Sequence, residues 1–252
     1  MSPRTRQLVA LISLAVLGAA LAAAVLDLPG PDDPHGPYAK ASIALLIAHR
    51  HVTNIVTGIT FDLRGIDTLG EELILFCAAV GSTLLLRAQR DEHRVEQARD
   101  RADEQRERTP PSVRALGAAM VGPLLVLGAY MVLHGPLTPG GGFQGGVLLA
   151  AALLGAYAAG QLVGLERVRP IPLVELAEAV GAAAYVLVAI GGIVFAGTAM
   201  ASFLPAGTQG SLVSGGIIPV LNLAVGVEVA GAITLILTEF VDQALLRSGS
   251  GR

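Results

Sequence analysis

The sequence predicts an all-α integral membrane protein of about six transmembrane helices plus one amphipathic interfacial helix, with both termini cytoplasmic. Three observations carry that fold class. Of the 252 residues, 53% are hydrophobic and 15% charged, and the mean hydropathy is +0.64, more apolar surface than a soluble domain of this length hides. Apolar runs close to the ~20 residues that cross a bilayer recur along the chain. The basic residues are lopsided: a six-span arrangement collects 14 of the 17 Lys and Arg on one side and leaves Lys40, Arg50 and Arg64 outside it. The positive-inside rule makes that side cytoplasmic.

The first run, residues 7–26, follows Arg4 and Arg6. Its alanines at 22–24 resemble a signal-peptide cleavage site, but the run exceeds the roughly 7–15 residues of a signal-peptide core and reads as a retained helix. Further spans fall at 68–87, 115–134, 146–163, 172–197 and 217–238. Within residues 41–60, Leu45, Ala48, Val52, Ile55, Val56 and Ile59 share one helical face, with Arg50, His51, Thr53, Asn54 and Thr57 opposite. That is the pattern of a helix lying in the interface. Spanning would bring Arg50 to the bilayer centre, at a cost of several kcal/mol, and would reverse part of the charge bias.

Residues 88–113 mix acids and bases with almost no apolar side chains. Asp91 with Arg94 and Glu104 with Arg108 stand at helical pairing distance, and Thr109-Pro110-Pro111 ends the stretch. This reads as a cytoplasmic linker between a membrane module over 1–87 and a four-helix membrane domain over 114–252.

Composition also excludes several functions. A net charge of −3 argues against nucleic acid as a partner. The single Cys77 rules out an intramolecular disulfide and a cysteine metal cage. The His and carboxylates lack metal-ligand spacing, no nucleophile–base pair appears, and no cofactor motif is present, so neither an enzyme nor a metal or cofactor protein is expected. Trp is absent, so no Trp belt marks the membrane interfaces.

Three features remain that could carry chemistry. The first is "HGPLTPGGGFQGG" at 134–146, where no Lys or Arg lies between Arg114 and Arg167; without a cation a phosphate-binding loop is not expected. Its glycines permit unusual backbone angles and close helix approach, and Gly160 and Gly164 continue the small-residue spacing. His134, at the outer end of its helix, is either a packed interfacial histidine or a proton carrier. The second feature is acids within apolar runs. Glu228 stands at the centre of the last run, so it is protonated, paired, or on a hydrated path. Glu239 and Asp242 return to nearly the same face, while Glu175 and Glu178 share a face near the start of the preceding helix. The third is "NIVTGITFDLRGIDTLGEELILF" at 54–76. Asp67, an expected N-cap with Thr68, and Glu71 lie on one helical face. They form either an ion-entry mouth or a local latch to Arg64.

Two of these stretches resemble parts of one assembly. "HGPLTPGGGFQGGVLLA" with "NLAVGVEVAG" at 222–231 is similar to the MnhB/MrpB subunit of the multisubunit Na⁺/H⁺ antiporter (Mrp, Mnh or Sha), over about residues 112–246. Its motif matches at Pro139, Gly140, Gly141, Gly142 and Phe143. The stretch around Arg64, Asp67 and Glu71 resembles the C-terminal end of the large subunit of that complex; energy-converting hydrogenases carry a similar segment as a separate small subunit. The resemblance implies a fusion of neighbouring parts and an accessory role in monovalent cation/proton antiport at the cytoplasmic membrane. Its partners would be the other antiporter subunits, Na⁺ and H⁺, and the lipid membrane. Asp67, Glu71, Glu228, His134 and Glu178 are then ion- or proton-path candidates. Alternatives are a membrane-arm subunit of an ion-pumping redox complex and a purely structural scaffold. The chain departs from the family in having Pro136 where many relatives have a second His, Leu63 and Ile66 in place of aromatics, and an additional Glu72 beside Glu71.

Overall fold

The computed structural model describes residues 3–27, 36–87, 110–158 and 171–247. The charged stretch, the turn with Arg167 and Arg169, and Gly160 and Gly164 therefore lie largely or wholly outside the described residues. In chain order the helices are α1 (Pro3–Leu26), α2 (Pro37–Leu45), α3 (Ile55–Gly58), α4 (Gly65–Arg87), α5 (Pro111–Leu133), α6 (Gly142–Ala158), α7 (Ile171–Ala196) and α8 (Ile218–Arg247). Single π-helical turns occupy Leu46–Arg50 and Ile59–Leu63.

Five of these helices are long and apolar enough to cross a membrane: those within α1, α4, α5, α7 and α8. The sixth expected span corresponds to α6, which has 17 residues among those described and is a shorter apolar helix. The protein is a multi-pass integral membrane protein. The chain forms two compact units, Met1–Ala41 and Ser42–Arg252. The first contains α1, whose apolar side chains face outward all round, as lipid or another protein would demand.

In the second unit α8 is the central helix, packing against α4, α5, α6 and α7. Its sequence explains why. Leu221, Val225, Val229, Ala232 and Leu235 are buried at steps of three and four, and Ala224, Gly226 and Gly231 on neighbouring positions keep it thin enough for several neighbours. The starts of α4, α6 and α8 lie at one end of the bundle, with the ends of α5 and α7. Gly142 N–H at the start of α6 donates to Asn222 Oδ1 at 2.9 Å, and a side chain at Gly65 would collide with Met200, just past α7. A core of Val52, Phe61, Tyr185, Val188, Met200, Ile217, Ile218, Leu221, Val225 and Val229 fills this end.

Residues 41–60 do not form the single amphipathic interfacial helix the periodicity predicts. The helix breaks at His51, whose φ of 55° ends the first piece, and restarts at Asn54, whose side chain caps α3. The expected polar face is partly the buried one. Asn54 and Thr57 are interior while Val56 is 70% exposed, because other backbone groups await those polar side chains. Thr53 N–H and Asn54 N–H donate to Pro136 C=O at 3.1 and 2.9 Å. Asn54 Nδ2 donates to Gly135 C=O at 2.8 Å and Thr138 C=O at 2.7 Å. Arg50 is not stranded either, since its Nε donates to the buried Asp62 at 2.9 Å.

The glycine cluster is thereby explained within the chain itself. Gly140 and Gly141 have φ of 137° and 150°, which a side chain would strain. A methyl group on Gly146 would lie 2.7 Å from Val229 Cβ, and one on Gly145 would lie 2.7 Å from Gly128 C=O. These glycines seat α6 between α5 and α8, the close helix approach expected of them.

Candidate functional site

Among the described residues four glutamates on three helices are buried: Glu72 of α4, Glu178 of α7, and Glu228 and Glu239 of α8 are each 3% exposed or less. Helical periodicity places each one. On α4 the buried stripe runs Thr68, Glu72, Ala79, Thr83, steps of four and seven that keep one face inward. Glu71 is one residue off that stripe, rotated by about 100°, and is exposed. On α7 the inward stripe is Glu178, Ala182, Tyr185 and Ala189.

Glycine brings α7 and α8 together at the acids. A methyl group on Gly181 would meet Glu228 Cβ at 2.6 Å, and one on Gly231 would meet Glu178 N at 2.8 Å. The backbones therefore touch here, and Glu178 lies about one turn along α8 from Glu228. The carboxyls of Glu72 and Glu228 are neighbours, with Glu178 next to Glu228 and Glu71 within electrostatic reach of Glu72. None of the four oxygens of Glu72 and Glu228 has a hydrogen-bond partner outside the pair. The nearby hydroxyls are engaged elsewhere: Tyr185 donates to Gly65 C=O at 3.0 Å and Thr68 to Thr60 C=O at 2.9 Å. Apart from Arg87 and Arg247 at their last positions, α4, α7 and α8 contain no Lys, Arg or His.

Two carboxyls shut away from water without a basic partner cannot both stay ionised at acceptable cost. Two neighbouring buried carboxyls of this kind favour an added positive charge. Among the described residues no group of three or more His, Cys, Asp or Glu has the geometry to hold a metal ion.

The structure thus brings together Glu228 and Glu178 of the expected path residues and adds Glu72, which in the sequence stands out only as a departure from the family. The signal for Glu72 was its position four residues after Thr68, on the inward stripe. Asp67 and Arg64 pair with each other at the exposed start of α4, Nε to Oδ2 at 2.6 Å. Asp67 lies inside the first turn, because α4 begins at Gly65, and so is not the N-cap. His134 caps α5 and stacks on Tyr130 with ring centroids 4.0 Å apart, away from the acids. Pro139 and Phe143 are exposed, while Gly141 and Gly142 abut Asn222. Asp242 lies on α8, with its side chain outside the described residues. Asn54 and Asn222 open two of the stretches singled out in the sequence, but their partners could not be read there, since hydrogen bonds spanning 80 residues or more leave no local spacing.

Residues 112–235 match a family described as a domain related to the MnhB subunit of Na⁺/H⁺ antiporter. An uncharacterized protein of Methanocaldococcus jannaschii is 31% identical over 205 residues, which span 75% of this chain and 77% of that protein. A chain of the membrane-bound sulfane sulfur reductase, an archaeal respiratory membrane complex, has the same fold with a TM-score of 0.70 at 23% identity. That match covers 94% of this chain and 98% of the other. A chain of the Mrp complex from Dietzia sp. DQ12-45-1b gives a TM-score of 0.68 at 21% identity, over 95% of this chain and 26% of that much longer one. The fold is that of a membrane-embedded helical-bundle subunit related to ion-transporting complexes. Within that class, this chain belongs to the family of the Methanocaldococcus jannaschii protein, and its residues 112–235 match the MnhB-related domain.

Proposed function

We propose that this protein is a membrane-arm subunit of an ion-pumping respiratory complex, to which it contributes part of a proton path. The observation that carries the reading is the burial of Glu72, Glu178 and Glu228 inside the bundle, on helices whose Lys and Arg stand only at their last positions. A purely structural scaffold has no use for such costly groups. The redox setting is favoured over a free-standing antiporter by the correspondence of nearly the whole chain to nearly the whole of one chain in a respiratory complex. The Na⁺/H⁺ antiporter reading keeps the support of the MnhB-related domain and of the Mrp chain, in which both halves of this chain correspond to parts of one polypeptide. The latter also supports reading residues before the linker as a segment like the end of the antiporter's large subunit.

The test is recovery of the tagged chain from native membranes in mild detergent. The redox reading expects companions carrying flavin or iron–sulfur centres, and proton movement in vesicles driven by an electron donor. Companions confined to antiporter subunits, with sodium-dependent proton movement and no redox centres, would transfer the chain to the antiporter. Recovery of the chain alone would defeat both. In whichever complex is recovered, Glu228→Gln should assemble normally and lose most ion movement, and Glu71→Gln measures whether the exposed acid also contributes.

A further inference from the structure

The four oxygens of Glu72 and Glu228 lie between two unlike regions. Toward the loop end of the bundle, Phe61, Val188, Leu221 and Val225 pack around Tyr185, whose hydroxyl proton is committed to Gly65 C=O. Toward the opposite end the acids continue. Glu178 backs onto Gly231, one turn beyond Glu228, and Glu239 is buried two further turns along α8.

We propose that Glu72 and Glu228 hold one proton between them, and that it exchanges with the end of the bundle where α8 finishes, by way of Glu178. This rests on the ion-path reading above, and names the ion and the side from which it enters. A proton suits the site better than a dehydrated sodium ion. Sodium needs a fuller shell of oxygens than two carboxylates supply. A proton needs one oxygen from each acid. On release, the O–H bond at the pair breaks and an O–H bond forms on the Glu178 carboxylate, which passes the proton on to water beyond. The titratable groups facing the pair are Glu71 from α4 and Glu178 and Tyr185 from α7, with Glu175 behind Glu178.

Infrared spectra of the purified, reconstituted protein in its native complex read this directly, through the carbonyl stretch of protonated carboxyl groups identified by ¹³C-glutamate labelling. Two coupled acids titrate in two separated steps that belong to the pair. In the difference against a Glu72→Gln/Glu228→Gln double variant, which removes the signals of Glu178 and Glu239, the wild type should therefore lose its carboxyl signal in two steps as pH rises, while Glu72→Gln and Glu228→Gln each leave a single step. Should one variant fail to assemble, the other makes the same comparison. Glu178→Gln should keep both steps but slow the H₂O/D₂O shift of the signal by roughly a hundredfold, the scale of a lost proton-transferring group. A single wild-type step, or a step in either variant at the wild-type position, would overturn the shared proton. Loss of the signal on adding sodium chloride at fixed pH would replace the proton with a cation. Unchanged exchange in Glu178→Gln would overturn the route. None of these outcomes depends on whether the complex is a redox pump or an antiporter, so the site and the reading beneath it fail separately.

Discussion

At the scale of single residues, two asparagines hold what the glycines make possible. Asn222 is fully buried, accepts from Gly142 N–H, and donates through Nδ2 to Ile218 C=O at 3.1 Å. Asn222→Ala leaves the Gly142 N–H buried without an acceptor, a loss of about 1–3 kcal/mol that should lower the melting temperature of the detergent-solubilised protein. The two ion pairs near the start of α4 differ in value. The Arg64 and Asp67 side chains are 62% and 52% exposed, so Arg64→Ala should change stability by less than ~1 kcal/mol. Asp62 is buried against Arg50, with side chains 4% and 31% exposed; Arg50→Ala should cost about 1.5–3 kcal/mol, as for a lost bond to a charged group. Melting curves of the two variants side by side check the contrast. The sequence motif drew attention to Glu71 and Asp67, since resemblance ranks residues by what relatives share. Which of two adjacent acids faces inward depends on helical phase. That phase was legible in Thr68, Ala79 and Thr83.

At the scale of elements, the crossing of α7 and α8 governs the acid cluster. Contact of their backbones at Gly181 and Gly231 removes the room a side chain would use, so Gly181→Leu must push the helices apart. The expected outcome is loss of folded protein on size-exclusion chromatography, whereas Gly18→Leu on α1, where an added side chain meets nothing within 4 Å, should behave as wild type. The long apolar helices were readable because the bilayer sets their length, and each lies within a few residues of its expected place, except that α8 runs on to Arg247. Residues 41–60 defied their periodicity for an equally physical reason. A 3.6-residue period assumes one continuous helix with solvent on its polar side, yet here the polar side chains serve as partners for a distant turn. Nothing in the spacing of Asn54 and Thr57 announces Pro136 or Gly140.

At the scale of the whole molecule, charge asymmetry still makes a claim that geometry does not decide: residues 88–113 cytoplasmic, and the loop around Thr138 outside. In a Cys77→Ser background, single cysteines replacing Gln97 and Thr138 should react with a membrane-impermeant maleimide from opposite sides; labelling of both from outside intact cells would end that topology. The Ser42–Arg252 unit has a further property. Residues before Arg87 and after Pro110 are joined by more than the chain between them. Asn54 binds the turn at Gly135 and Thr138, α4 lies against α8, and Tyr185 reaches Gly65. Those bonds form a complementary surface that does not need a covalent tether to find its match. Two separately translated halves, cut near residue 99 and made in the same cell, should therefore assemble and copurify in near-equal amounts. Asn54→Ala in one half should weaken that recovery far more than it weakens the unbroken chain, because a tether supplies a high effective concentration that the two pieces lack.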